Sequence, residues 1–518
     1  MTESALAADS LSGPRKWLGF AALCAGMFMA VLDIQIVITS LGVIEKALKI
    51  GADRMSWVQT SYLIAEIVTI PLTGVLMRMF SMRNLLSIAV VIFTLASIGC
   101  AMSTGFATLV GFRVLQGMAA GVLMPLVFAA VFLLFKPGNE QGVATVLAAI
   151  VAVIAPSTGP IVGGIITEKL SWQWLFLINT IPGVITLVLG LACLPREKME
   201  LRLLRELDML SVVFIAISLA CLEIGLKEAP DLGWFSPVTL ALFAGFAVLL
   251  AITIMRPKPA VDFGLLKDRY LAYGCALSFV LGIGLYGSVY LLPVFLSLVR
   301  YLGPVEIGMV VLVTGMAQLV SAPISVLLDR VMPARFLSML GFAMFAAGLF
   351  MSGFETRLSG HDELFWAQVV RGVALGLCIV PVTRFSMGFL PPEKVSDASG
   401  LYNLSRALGG IIGIALIDTI LFTRSAEHAD RIKDLMTQDP EAAARLLRIT
   451  ADELPDPTDP MGLLGVMDTI QEGAVTLAVN EAWILMGVCT LAALVLLVML
   501  GPIREPKPGV PLGQQAEF

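Results

Sequence analysis

The chain has 518 residues, of which 58% are hydrophobic and only 14% are charged, and its formal net charge at pH 7 is −5. This apolar content excludes a soluble globular protein, whose apolar fraction is about 45 to 50%. The apolar runs last about 18 to 25 residues, which is the length of membrane helices rather than of barrel strands. The sequence therefore predicts an all-α polytopic membrane protein.

Charged or Pro/Gly-rich breaks divide the apolar runs into fourteen predicted membrane spans. Nineteen of the 34 Lys and Arg residues fall in the loops and tails of one side, against seven in the short loops of the other. The positive-inside rule then places both termini in the cytoplasm. The spans are predicted near residues 17–40, 56–77, 84–103, 107–132, 142–165, 174–194, 209–227, 236–255, 270–298, 305–328, 336–354, 364–388, 398–422 and 481–501.

An internal repeat relates the two halves of the chain. The run PLTGVLMR from Pro71 is matched by PISVLLDR from Pro323, and Arg113-Val-Leu-Gln116-Gly117 by Gln368-Val-Val-Arg371-Gly372. Repeated halves are typical of transporters with a site between two bundles. The predicted domains are a cytoplasmic tail (1–16), an N-terminal six-helix bundle (17–195), a linker with two additional helices (196–269), a C-terminal six-helix bundle (270–501) and a cytoplasmic tail (502–518).

One long segment outside the membrane, residues 423–480, lies within the C-terminal bundle and is predicted on the outer side. It carries eleven acidic and five basic residues, so the acidity of the whole chain belongs largely to this segment. Residues 426–450 have helical character, and a Pro/Asp-rich breaker follows them. An ordered outer cap or partner contact and a loosely ordered loop are both consistent with this pattern.

Arg113 is the most informative residue, because it lies in a span that is otherwise apolar. An arginine at the centre of a membrane helix costs about 2.5 to 3.5 kcal/mol on insertion scales, so it should face a partner or a wet cavity. Asp33 in the first span is predicted at similar depth. Asp33 and Arg113 then form either a proton-exchanging pair or a fixed structural pair.

Other charged residues lie within spans. Glu66, near the middle of the second span, has no evident arginine partner and is predicted to face a cavity that a proton or a cationic substrate can reach. Glu223 and Asp418 are closer to the outer ends of their spans and are expected to reach lipid headgroups. Arg371 and Arg406 are candidates in the second half, with no evident acid in mid-span to pair them.

The fifth span contains the motif Gly159-Pro160-Ile161-Val162-Gly163-Gly164. Glycines at this spacing lie on one helix face and permit close helix contact, and the proline removes a backbone hydrogen bond. Helix packing alone explains the motif. A kinked contact that also closes the outer gate is the functional alternative.

Catalytic and cofactor chemistry is not indicated. The seven cysteines all lie in apolar runs, and the only two histidines fall in predicted outer segments, so we expect neither a disulfide framework nor a metal site. Hydrolase, zinc-protease and phosphate-binding motifs are absent from the sequence. We therefore expect no cofactor and no enzymatic activity.

These motifs resemble those of the fourteen-helix drug:proton antiporters of the major facilitator superfamily, EmrB/QacA type. The resemblance rests on Leu32-Asp33, on Arg113-x-x-Gln116-Gly117, on the antiporter motif at residues 159–164, and on the run WQWLFLIN from Trp172 to Asn179. It implies two six-helix bundles with two additional helices, alternating access, and export of amphipathic compounds driven by proton entry. It also implies roles in coupling and substrate binding for Asp33 and Arg113, and, in a Gram-negative cell, a periplasmic adaptor and an outer-membrane channel as partners.

The inner-gate motif departs from the family pattern in the first half. Gly74, Arg78 and Arg83 are present, but Met77 stands where an aspartate is expected. The corresponding part of the second half contains Asp329, Arg330 and Arg335. The sequence therefore predicts an inner-gate charge cluster for the second half, whereas the first half lacks the expected acid.

The leading functional hypothesis is a proton-coupled exporter of hydrophobic or amphipathic small molecules such as drugs, with Asp33 and Glu66 as acceptors and Arg113 as the charge that resets Asp33. A substrate importer or facilitator on the same fold is the alternative within transport. A membrane sensor or channel is the alternative from another class.

Overall fold

The computed structural model describes residues 13–38, 52–136, 138–196, 208–257, 259–329, 331–450 and 460–501, with a few isolated residues between them. Every regular element in these ranges is helical. The helices are α1 (Gly13–Ile38), α2 (Ala52–Thr69), α3 (Thr73–Ala101), α4 (Phe106–Leu134), α5 (Asn139–Lys169), α6 (Trp174–Leu177), α7 (Thr180–Cys193), α8 (Met209–Leu232), α9 (Pro237–Met255), α10 (Arg269–Leu298), α11 (Pro304–Leu328), α12 (Ala334–Met351), α13 (His361–Met387), α14 (Pro392–Gln438), α15 (Pro440–Leu447) and α16 (Pro460–Leu500), with short 3-10 turns at Ile70–Leu72, Phe263–Lys267 and Ser352–Phe354.

Thirteen continuous helical segments in the described residues are long and apolar enough to cross a membrane. One of them, Trp57–Ala101, is 45 residues long and contains two of the predicted spans. Ser81, with φ at 65°, interrupts the helical geometry between these two spans. The described helices can therefore accommodate the fourteen predicted spans, and these are helical because a membrane-spanning helix satisfies its own backbone hydrogen bonds.

The internal repeat is visible in the helix contacts. In the first half Gly117 on α4 packs against the backbone carbonyl of Tyr62 on α2, and in the second half Gly372 on α13 packs against that of Thr314 on α11. A side chain at either glycine would overlap the neighbouring backbone, which explains the small residue at both places. The same helix contact is thus built twice.

The two halves meet through α14, which packs against α3 and α4, and through the contact of α5 with α11. The Ser399 hydroxyl on α14 donates a hydrogen bond to the Pro125 carbonyl on α4 at 2.7 Å. The Gln318 amide on α11 donates to the Ala149 carbonyl on α5 at 3.2 Å. The α14 residues Ser399 and Asp397, which contact the first half, lie near the start of this helix, next to a predicted inner loop.

The two additional helices, α8 and α9, pack against each other, and α8 also contacts α2 and α14. The Trp234 indole N–H, just after α8, donates to the Thr419 hydroxyl on α14 at 2.9 Å. Most of α9 is exposed, as expected for a lipid-facing helix. Helix α8 therefore connects one helix of each half.

The described residues of the predicted outer segment 423–480 are largely helical. Helix α14 continues to Gln438, α15 follows, and α16 begins at Pro460. Arg424 on α14 donates from Nε to the Glu481 carboxylate on α16 at 2.7 Å, and His428 Nε2 lies 3.0 Å from Glu481 Oε1. Together these elements form an outer helical hairpin, whose small apolar core consists of Ile432, Met436, Ala443, Leu447, Ile470 and Ala474.

Candidate functional site

The centre of the first half is a buried ion pair between α1 and α4. Arg113 and Asp33 are both 0% exposed, and Arg113 Nη1 lies 2.6 Å from Asp33 Oδ2. The structure therefore brings together the two residues that the sequence pairs by depth alone. A charge-assisted hydrogen bond of this length is among the stronger interactions that a protein interior contains.

The remaining donors of the Arg113 guanidinium are also engaged. Nε donates to the Val58 carbonyl at 3.1 Å, Nη2 to the Gln59 side-chain oxygen at 3.1 Å, and Nη1 also to the Gln116 side-chain oxygen at 3.1 Å. The guanidinium carbon lies 4.2 Å from the centre of the Tyr62 ring. Helices α2 and α4 thus hold this arginine in one orientation.

The second oxygen of Asp33 accepts two further hydrogen bonds. Asn179 Nδ2 donates to Oδ1 at 2.8 Å, and Gln116 Nε2 approaches it at 3.3 Å. Gln116 also donates to the Ser97 hydroxyl on α3 at 2.8 Å. Three side chains thus hold Asp33 as a carboxylate acceptor, which is how a buried acid is normally satisfied.

Asn179 is a site residue that the sequence analysis does not single out. It is buried and lies between α6 and α7, after the run that carries part of the family resemblance. A polar amide at the end of an otherwise apolar run was the signal that could have identified it.

Glu66 lies on α2, one helical turn from Tyr62, and is half-buried. Among the described residues, no hydrogen bond or ion pair reaches its carboxyl group. Arg113 and Asp33 lie within electrostatic reach of it in the same half, and Tyr286 on α10 faces it from the other half. Glu66 therefore has neighbours in both halves, and its access to a cavity stays a prediction.

The two acids expected at the headgroups are held inside the protein instead. Glu223 is 4% exposed, because α8 packs against α2 and α14 rather than facing lipid on that side. Asp418 is half-buried on α14 and accepts a hydrogen bond from the Tyr290 hydroxyl at 2.6 Å. The prediction that Glu223 reaches the lipid headgroups is wrong. Asp418 contacts Tyr290 of the protein rather than a headgroup.

The second half holds its arginines against aromatic rings. The Arg371 guanidinium lies 4.4 Å from the centre of the Trp483 ring. The Arg406 guanidinium carbon lies 5.2 Å from the centre of the Phe128 ring, in the first half, and 5.0 Å from the centre of the Tyr402 ring. Both arginines are buried, and neither has an ion pair with an acid in the described residues.

The Arg371 neighbourhood also contains an acid that the sequence did not indicate. Glu355, just after the 3-10 turn that follows α12, lies within electrostatic reach of Arg371. Its backbone N–H donates to Asn480 on α16 at 3.1 Å. The sequence did not reveal this neighbour because Glu355 lies in a loop rather than in mid-span.

The inner-gate residues form cross-links at the joined end of the two halves. Arg78 on α3 forms an ion pair with Asp397 at the start of α14, and Gly74 packs directly against Asp397. The acid missing at Met77 is thus supplied by the opposite half. Sequence comparison of corresponding positions could not find it, because the partner is 319 residues away.

In the second half, Asp329 forms an ion pair with Arg384 on α13. Arg335 donates to the Leu497 carbonyl on α16 at 2.9 Å, which satisfies a backbone acceptor near the end of that helix. Arg83, by contrast, is half-buried on α3. Arg330 lies outside the described residues.

The antiporter motif at residues 159–164 contacts both halves, and its glycines and proline are buried in α5. An added Cβ at Gly159 would lie 3.3 Å from the Gln35 Cα on α1. An added Cβ at Gly164 would lie 2.9 Å from Pro304 of α11, in the second half. The motif therefore packs helices within the first half and also at the contact between halves.

Two repeated halves of membrane helices around a buried charge network define a helical membrane carrier. Residues 23–414 match the model of the Major Facilitator Superfamily. The colistin resistance protein EmrB of Acinetobacter baumannii is 34% identical over 426 residues, which are 81% of this chain and 83% of that protein. The multidrug export protein EmrB of Escherichia coli K12 is 29% identical over 443 residues, with 84% and 86% covered. The chain belongs to the Major Facilitator Superfamily, among its EmrB-type members.

Solved structures agree with this assignment at the level of the fold. The human organic anion transporter MFSD10 superposes with a TM-score of 0.61 at 11% identity, covering 93% of this chain and 99% of that one. The proton:xylose symporter XylE gives a TM-score of 0.54 at 12% identity, with 93% and 96% covered. The predicted all-α major facilitator fold and the family resemblance are thereby confirmed.

Proposed function

We propose that the chain is a carrier that exports hydrophobic or amphipathic small molecules, such as drugs, in exchange for protons by alternating access. The observation that carries the proposal is the fully buried Asp33–Arg113 pair, with its 2.6 Å contact, in the middle of a membrane bundle. The names of the two relatives, a colistin resistance protein and a multidrug export protein, support the substrate class.

In the proposed cycle a proton reaches Asp33 and neutralises it. The Arg113 guanidinium then loses its charged partner, and breaking a buried pair in this way costs about 3 to 5 kcal/mol unless the network rearranges. Gln59 and Gln116 already contact the guanidinium and can hold it while the two helices shift. Protonation of Asp33 is therefore coupled to the relative position of α1 and α4.

The membrane potential can supply the driving energy. Each proton that enters down about 100 mV provides about 2.3 kcal/mol before any pH gradient is counted. Glu66 is the proposed second acceptor, since its carboxyl group lies between the halves without a fixed partner. The N-terminal half thus carries the coupling, and the C-terminal half shapes the substrate pocket.

Proteoliposomes with an imposed pH gradient test the proposal. Asp33→Asn and Glu66→Gln should abolish or strongly reduce pH-driven efflux across a panel of lipophilic drugs while the protein remains folded. Asp430→Asn is the matched control, because Asp430 has a side chain 77% exposed on the outer helical hairpin. Full efflux in both neutralised variants would show that the buried pair is a fixed structural element.

The direction of proton movement separates export from import. An exporter driven by proton entry should bring protons into the substrate-loaded compartment as substrate leaves it. Proton and substrate moving together would indicate an importer on the same fold. Single-channel conductance without counterflow would indicate a channel.

The proposal places the chain in the cytoplasmic (inner) membrane, with both termini cytoplasmic and with no enzymatic step. A reporter domain that is active only in the cytoplasm should then be active when it is fused to either terminus. A reporter domain that is active only outside the cytoplasm should be inactive at both. In a Gram-negative cell the proposal extends to a periplasmic adaptor and an outer-membrane channel. Efflux in proteoliposomes should persist without these partners, whereas resistance of whole cells should fall when the adaptor is deleted.

A further inference from the structure

Glu223 on α8 is a buried acid that the charge network of the first half does not include. Its side-chain atom Oε2 is buried without a hydrogen-bond partner, and the residue is 4% exposed. Burying a carboxylate without a partner is costly, so such a group normally binds a proton, a cation or a donor. Glu223 therefore needs a positive partner that the surrounding helices do not provide.

The nearest basic residue on the same helix does not fill this role. Lys227 lies one turn after Glu223, but its ammonium pairs with Glu228 at 2.9 Å. The same ammonium also lies 4.7 Å from the centre of the Trp57 ring on α2. Lys227 is thus directed towards Glu228 and Trp57, away from Glu223.

Glu66 on α2 is the acid that faces Glu223. Helix α8 packs against α2, and the two carboxyl groups lie within electrostatic reach of each other. Arg113 also lies within reach of Glu66, but its donors are engaged by Asp33, Gln59 and their neighbours. Two acids away from bulk water cannot both remain ionised unless a cation joins them.

The other helices around the two acids add an aromatic ring and one distant positive charge. Tyr286 on α10 lies within reach of Glu66 and also of Arg406 on α14. The Arg406 guanidinium lies over the rings of Phe128 and Tyr402, and no ion pair joins it to an acid among the described residues. A carboxylate pair beside an aromatic ring is the arrangement that recognises an organic cation.

A metal ion fits these residues poorly. Hard divalent cations take about six to eight oxygen ligands, or six in octahedral geometry. In the part of the chain that the structure describes, no group of three or more His, Cys, Asp or Glu side chains could hold a metal. A monovalent, lipophilic organic cation matches both the charge and the apolar surroundings.

We propose that Glu223 and Glu66 form a substrate site for lipophilic organic cations, and that α8 is therefore part of the transport site rather than a lipid-facing addition. In the empty carrier the two carboxyl groups share one proton, and the arriving monovalent cation displaces this proton, so the net charge of the pair with its bound cation stays at −1. This inference rests on the proposed function, because the released proton is the one that exchange requires.

Binding of tetraphenylphosphonium to the purified full-length protein tests the site. We expect the wild type to bind this permanent cation and to release protons as it does so. Glu223→Gln should weaken binding by about tenfold or more, as loss of a buried charge partner does elsewhere, and should reduce the proton release. Glu223→Asp, which keeps the charge, should restore much of both.

Two controls separate the site from a folding defect. Glu228→Gln on the same helix should bind tetraphenylphosphonium like the wild type, because Glu228 pairs with Lys227 near the end of α8. Triphenylphosphine oxide, a neutral analogue, should bind the wild type and Glu223→Gln equally. Wild-type binding without proton release, absence of wild-type binding, or unchanged cation affinity in Glu223→Gln would each overturn the inference.

Efflux measurements distinguish this inference from the proposed function. If wild-type proteoliposomes show pH-driven efflux but Glu223→Gln still binds the cation normally, only the Glu223 site is wrong. If the wild type shows no pH-driven efflux of any substrate, the proposed function itself fails. Loss of cation efflux with retained efflux of neutral substrates in Glu223→Gln would support both.

Discussion

The guanidinium of Arg371 stacks on the indole ring of Trp483, 4.4 Å from its centre. In the sequence repeat, Arg371 corresponds to Gln116, and Gln368 corresponds to Arg113. In the first half the arginine is held by an acid, whereas in the second half it is held by an aromatic ring. Among the described residues, the repeated framework therefore has an ion pair in only one of its two centres, which supports the proposal that proton exchange takes place in the first half.

This difference predicts unequal costs for removing the two arginines. Arg113→Gln leaves Asp33 buried beside a neutral side chain, a change that costs about 3 to 5 kcal/mol. Arg371→Gln loses a cation–π contact worth about 2 kcal/mol in a desolvated place. Thermal unfolding in detergent should show a larger loss for Arg113→Gln, which Asp33→Asn in the same chain should partly restore. Equal losses would contradict the assignment.

Glu355 predicts a pH dependence of stability on the outer side. Burial raises the pKa of its carboxyl group from 4.5 to about 8, although Arg371 nearby lowers it. The folded state then favours the protonated acid, so its stabilising effect is full below pH 4.5 and is lost as pH rises towards 8.

The measurement is the unfolding midpoint of the wild type and of Glu355→Gln between pH 4.5 and 8.5. The wild-type midpoint should fall relative to the variant as the pH rises, because only the wild type must bury an increasing charge. Parallel curves for the two proteins would show that Glu355 is accessible to water in the folded state.

Gly74 is predicted to be essential for closing the inner end. A Cβ at this position would lie 2.7 Å from the Asp397 Cα, so Gly74→Ala should push α3 away from α14 and disturb the Arg78–Asp397 pair. Gly400→Ala is the matched control on the same interface, since its Cβ would lie 3.3 Å from the nearest atom, the Ile70 carbonyl oxygen.

The readout for Gly74 is the accessibility of a buried inner position. Ser396 on α14 is buried at this interface, and its hydroxyl lies 3.5 Å from the Met77 sulfur. With Ser396→Cys as the reporter, a membrane-impermeant maleimide applied from the inner side should react faster in Gly74→Ala than in Gly400→Ala. Equal reaction rates would show that this contact does not close the inner end.

The contact of Gly308 on α11 with Ile161 allows a test of whether the antiporter motif closes the outer side. An added Cβ would lie 2.8 Å from the Ile161 backbone nitrogen, so Gly308→Val should separate α11 from α5 at a cost of about 1 to 3 kcal/mol. If this contact closes the outer side, protons should leak faster into proteoliposomes containing the variant, as measured with an internal pH dye. Gly111→Val is the control, because nothing lies within 4 Å of its added Cβ. An unchanged leak with reduced stability would assign the motif to packing alone.

The sequence predicted the spans and the Asp33–Arg113 pair because apolar length and intramembrane charge are local signals. Asn179, Asp397 and Glu355 were not found as partners, because each meets its contact through tertiary packing across distant parts of the chain. The burial of Glu223 was missed for a related reason. Its depth in the span is readable from the sequence, but the face of α8 that meets α2 is not.

The outer helical hairpin has a mechanical consequence. Helix α14 continues without interruption from Pro392, just before the inner contact at Asp397, to Gln438, a run of 47 residues. At about 1.5 Å per residue this is a rod of about 70 Å, more than twice the hydrocarbon thickness of a bilayer. Any tilt of the second half is therefore amplified at the far end of the rod. With the predicted topology, we expect the hairpin to move at the outer surface when the inner end of α14 moves.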